Sequence, residues 1–148
     1  MELDTKQVEL IATSWLESIL MRQGFEVARP VRDKGIDLIV YLDNSDDEFS
    51  ATPIQIKSAQ GKTFSIQRKY EDRGIVMAYI WGATGDNPTL FLVPYDDAVD
   101  LLELIGNAAE SASWKTKKQY STQAPSKKLF EALSKYKNKF EVLRPARG

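Results

Sequence analysis

Two runs decide the fold: Ile36-Asp37-Leu38-Ile39-Val40-Tyr41-Leu42 and, after a polar stretch, Ile54-Gln55-Ile56-Lys57-Ser58. The first is almost continuously apolar, as in a strand buried on both faces, with one carboxylate, Asp37, near its start. In the second, period-two alternation puts Ile54 and Ile56 on one face and Gln55 and Lys57 on the other. The acidic stretch 43–50 between them reads as a turn, so the two runs form a hairpin with a rather long loop. A lysine beside a glutamine in mid-strand, in a sheet covered on both faces, is costly unless something pairs with them. Hairpin pairing brings Asp37 close to both.

Outward from this hairpin, Val8, Ile11, Trp15, Ile19 and Leu20 recur at helical spacing, which predicts a helix over 4–23 with Asp4 as N-cap and Gly24 as its stop. Short strands are expected at 25–28 and 64–66, with one helical turn within 67–73. Further strands are expected at 75–81 and 90–93. A helix at 96–105 carries acids in its first turn, and Ser126 caps another through Tyr136 with Leu129, Phe130, Leu133 and Tyr136 inward. No repeat or linker divides the chain. The expected fold class is α/β (α+β), a single domain over 1–148 with a mixed central sheet, a core over about 5–95 and a basic helical C-terminal segment over about 114–148.

The chain has 148 residues, 43% hydrophobic and 28% charged, enough for one globular core. It contains no cysteine and no histidine, which excludes thiol nucleophiles, Cys/His zinc sites and every imidazole base. Chemistry must therefore run on carboxylates, amides, lysines or hydroxyls. The acidic N-terminus and the lack of a long apolar run lead to the expectation of a cytoplasmic protein with no membrane partner. Net charge is −1 overall, but residues 1–113 carry ten Lys/Arg against nineteen Asp/Glu, and 114–148 carry ten against two.

Asp37, Gln55 and Lys57 can be joined by a second carboxylate from the first helix, either Glu9 or Glu17. One or two acids and an amide oxygen suit Mg2+ or Mn2+, with water and a phosphate oxygen completing the shell. Glu9, Gly35-Ile36-Asp37-Leu38-Ile39 and Ile54-Gln55-Ile56-Lys57-Ser58 together resemble the PD-(D/E)XK nuclease superfamily, in a variant reading Gln-x-Lys. The resemblance implies a restriction-endonuclease-like α-β-β-β-α-β core and magnesium-dependent cleavage of phosphodiester bonds in DNA. It implies catalytic roles for Glu9, Asp37, Gln55 and Lys57. Asp37, the amide oxygen of Gln55 and the carbonyl of Ile56 would be metal ligands, and Glu9 would hold metal-bound water. Lys57 would orient the attacking water and stabilise charge on the phosphoryl group. Ile36 stands where the family's name has proline, and Gln55 where it has an acid.

In the basic segment, Lys115, Lys117 and Lys118 lie between Trp114 and Tyr120, an interleaving that suits phosphate contact with stacking. Arg68, Lys69 and Arg73 extend the same expected nucleic-acid surface, although a solubilising face that pairs with the acidic body would look similar. Cutting both strands of a duplex implies a homodimer or higher symmetric homo-oligomer. The alternatives are a binding module of the same fold without turnover, and an interaction or immunity-type domain.

Overall fold

The computed structural model describes residues 2–44, 48–105, 111–116, 119–123 and 125–144. Helix α1 (Thr5–Arg22) starts with a reciprocal capping box, in which Asp4 accepts from the Gln7 amide and Gln7 accepts from the Asp4 amide. It stops where Gly24 takes φ +91°, a conformation open to glycine. Its buried stripe is Val8, Ala12, Leu16 and Leu20, one residue round from the expected face. Ile11 is 40% exposed, and Trp15 and Ile19 are half-buried. The small Ala12 lets the helix lie close to the sheet.

The main sheet has the order β1-β2-β3-β5-β6, built from β1 (Glu26–Ala28), β2 (Leu38–Asn44), β3 (Glu48–Ser58), β5 (Val76–Trp81) and β6 (Thr89–Pro94). Pairing is antiparallel except for β3 with β5, which run parallel, so the sheet is mixed as expected. The hairpin pairs as far as Asn44↔Glu48, so most of the stretch read as a long turn is strand. Strand β2 is buried only on the side of Leu38 and Val40, beneath α1; Ile39 and Tyr41 are half-buried, and Phe49 beside Tyr41 is 68% exposed. The apolar run had suggested cover on both faces.

Between β3 and β5 the implied helix is replaced by β4 (Phe64–Gln67) and a 3-10 turn, Arg68–Tyr70. Strand β4 pairs antiparallel with β7 (Gln119–Thr122) in a separate two-stranded ribbon. The ribbon lies on the sheet face opposite α1, where Phe64 and Ile66 join Met77, Tyr79, Trp81, Phe91 and Val93 in the core. Alternate carbonyls of β4 and the residue before it are held by side chains: Trp81 Nε1 donates to Thr63 O at 2.6 Å, Tyr79 Oη to Ser65 O at 2.8 Å and Tyr95 Oη to Gln67 O at 2.6 Å. Carbonyls two apart lie on one edge of a strand, so these bonds close an edge that would otherwise be open to pairing.

After β6 the chain forms α2 (Tyr95–Asp100) and a 3-10 turn, Leu101–Leu104, shorter than the helix expected to 105. Helices α3 (Ala112–Lys115) and α4 (Lys127–Ser134) follow. Ser126 caps α4 by accepting from the Leu129 amide, with Leu129, Leu133 and Tyr136 buried. Phe130, expected inward, is 42% exposed and stacks on Trp81 beneath the Lys62 ammonium. No described helix is long and apolar enough to cross a membrane.

Candidate active site

The pairing of Leu38 with Ile54 sets Asp37 opposite Gln55 just before β2 begins, where β3 runs on without it on that side. Asp37 is fastened to the exposed β3 backbone twice: its amide donates to Ile54 O at 2.9 Å, and the Ile56 amide donates to Asp37 Oδ2 at 2.7 Å. Just upstream, the Gly35 amide donates to Asp33 Oδ1 at 2.9 Å in an Asx turn, and Gly35 adopts φ +96°. The Tyr70 ring lies against Gly35, so closely that any Cβ there would overlap its hydroxyl.

Burial raises the Asp37 pKa above its ordinary value; the Ile56 amide opposes this, and Asp33 and Glu9 raise it while Lys57 lowers it. Gln55, opposite, is 4% exposed. Its Oε1 is the buried side-chain polar atom without a hydrogen-bond partner among the described residues. Such an orphan acceptor costs about 1–3 kcal/mol. An unpartnered amide oxygen on the residue opposite a desolvated carboxylate is a donor set that fits a hard divalent cation. Among the described residues, no group of three or more Asp, Glu, His or Cys side chains is placed to hold a metal ion by itself. A cation held here would therefore draw on few carboxylates and leave positions for water and phosphate, as magnesium sites do.

Gln55, Lys57, Asp37 and Glu9 line one open cleft of about 1020 Å³. Lys6, Arg29, Lys62 and Lys69 also line it, so five cations face the three acids Glu9, Asp33 and Asp37. The two helix acids differ in partner and position. Glu17 is held by Arg29 through a two-point ion pair, Nε to Oε2 at 2.9 Å and Nη2 to Oε1, and does not line the cleft. The Glu9 side chain is 56% exposed, with Lys6 Nζ 3.9 Å away, and it faces the cleft.

The expected nucleic-acid residues divide. Lys69 lines the cleft, its ammonium 5.0 Å above the Tyr70 ring. Tyr120 borders a smaller cavity of about 430 Å³ shared with Lys57. Arg68 is turned to Glu71 at 3.3 Å and to the Trp114 ring, and Arg73 lies over Tyr70. Lys115 is exposed at the end of α3, Trp114 is core, and Lys117 and Lys118 lie outside the described residues. Sequence reading missed Lys6, Arg29 and Lys62, which come from separate segments. It also missed Gly35, for which the Asp33-Lys34-Gly35 turn signal was available. No protein-family model matches the chain, and no curated protein matches it.

Proposed function

We propose that the protein is a divalent-metal-dependent DNA endonuclease of the PD-(D/E)XK kind. The observation that carries this reading is the orphaned, buried Gln55 Oε1 beside Asp37 in a cleft ringed by cations. Asp37, Gln55 Oε1, the Ile56 carbonyl and Glu9 would hold Mg2+ or Mn2+. When bound, the ion supplies a water of lowered pKa and polarises the phosphoryl oxygens.

The chain's own groups do the rest. Lys6, Lys62 and Lys69 draw the phosphodiester into the cleft and offset its charge, while Arg29 is already paired with Glu17. Lys57 Nζ donates hydrogen bonds that align the attacking water and stabilise charge gathering on the phosphate oxygens. The double clamp of Asp37 to the β3 backbone fixes its carboxylate before substrate arrives, which lowers the cost of organising the site. Cleavage of both strands would pair two such sites in a symmetric homodimer or larger assembly. A second reading, a binding module without turnover, is favoured by the amide at position 55, which gives a bound cation one negative charge fewer.

The test is incubation of supercoiled plasmid and a panel of duplexes with the protein in Mg2+, Mn2+ or EDTA. Metal-dependent nicking that is lost in Lys57→Ala and Asp37→Ala is expected. No cutting together with no metal binding overturns the proposal, and salt-dependent DNA binding without cutting transfers it to the second reading.

A further inference from the structure

The β4–β7 ribbon has two unlike faces. Phe64 and Ile66 point into the core, with Tyr120 opposite Ile66 packed against the same cluster. The alternate positions form two cross-strand pairs, Ser65↔Ser121 and Gln67↔Gln119, which point away from it. These four residues, together with Lys57, Ile66 and Tyr120, border the smaller cavity, and Ser65 and Gln67 also line the main cleft. A continuous surface therefore runs from Asp37 and Gln55, past Lys57, onto the ribbon. Its character changes along the way. The cleft is lined with cations, whereas the four ribbon positions carry no charge in a chain that is 28% charged.

Phosphate attraction comes from lysine and arginine, so a neutral face adds little of it. Glutamine and serine are instead groups that read base edges, glutamine through a two-point bond to adenine and serine through single bonds. The major groove of B-form DNA admits a two-stranded β-ribbon, whereas that of an RNA duplex is too narrow for side chains to read. Reading also needs a rigid platform, and the bonds from Tyr79, Trp81 and Tyr95 pin β4 through its main chain, leaving the outward side chains free for a ligand.

We infer that the outer face of the β4–β7 ribbon is the sequence-reading element of this protein, entering the major groove of duplex DNA beside the scissile phosphate. The inference rests on the nuclease reading for its substrate, and its test is separable from that reading. Wild-type protein and two double variants, Gln67→Ala/Gln119→Ala and Ser65→Ala/Ser121→Ala, are used to enrich sequences from a randomised duplex library in the presence of Ca2+. Both variants spare the carbonyls that hold β4, and the second secures the test if the first fails to fold.

The wild type is expected to enrich a defined motif, and the variants to lose discrimination by about fivefold or more at one or more base pairs. An RNA duplex of the same sequence is expected not to compete. Enrichment of no motif, retention of the same motif by the folded variants, or equal competition by RNA overturns the inference. A motif that is read but not cut in Mg2+ leaves the ribbon assignment standing and refutes the nuclease reading.

Discussion

Gly35→Ala tests how the site is held in place. Gly35 sits at φ +96°, where an L-residue is strained by about 1–2 kcal/mol. Its added methyl would also overlap the hydroxyl and ring of Tyr70, which is 4% exposed and unable to withdraw freely. Overpacking of this kind costs about 1–3 kcal/mol, so the total is about 2–5 kcal/mol.

The two contributions separate in a double-mutant cycle with Tyr70→Ala. That change alone costs about 3–5 kcal/mol, taking Tyr as comparable to Phe. In the double variant the overlap disappears while the backbone strain remains, so the two losses should fall short of additivity by about 1–3 kcal/mol. Urea denaturation of the four proteins gives the coupling. Additive losses, or a Gly35→Ala cost under about 0.5 kcal/mol, would refute the close approach of Tyr70 to the segment that carries Asp37.

Asp37→Asn should make the metal-free protein more stable at neutral pH. The folded carboxyl titrates above its ordinary 3.8, so its favourable contribution is complete below that value and is lost as pH rises through the raised folded value. The advantage of the variant in urea midpoint should therefore grow from pH 3 and level off by neutrality; a deficit at pH 7 would contradict the burial cost. Gln55→Leu removes an orphaned buried acceptor and should be neutral or stabilising by up to about 1–3 kcal/mol in denaturant melts while weakening metal binding. Glu9→Gln should weaken Mn2+ binding and Glu17→Gln should not. Glu17→Gln should instead cost at most about 1 kcal/mol of stability, because Arg29 is half-exposed. Equal effects of the two on Mn2+ would refute the assignment of the helix acid.

The legible parts of the chain were those whose signal is local. The Asp4 cap and spacing of α1, the alternation at Ile54-Gln55-Ile56-Lys57 and the Ser126 cap each lie within a few residues, and each has its expected element in the fold. The position of Asp37 opposite Gln55 followed from the hairpin alone, whereas its bonds to the β3 backbone did not. The ribbon was not legible, because Gln119-Tyr120-Ser121-Thr122 has no apolar alternation; its partner strand lies more than fifty residues earlier, and aromatic donors on β5 and at the start of α2 hold it in place. The different surroundings of Glu9 and Glu17 were not legible either, because the partner of Glu17 is Arg29, twelve residues beyond it and close to it only once β1 packs against α1. Ile36 to Leu42 looked buried on both faces because apolar content does not say whether a second layer covers a strand. Here the ribbon, α2 and α4 pack over β5 and β6 and leave Tyr41 half-exposed.

The central claim is that Asp37 and Gln55 hold a divalent cation beside Lys57. Calorimetric titration of Mn2+ into the wild type and Asp37→Asn addresses it most directly. Saturable binding by the wild type, lost in the variant, is expected. Identical isotherms for the two proteins, or no binding by either, would contradict it.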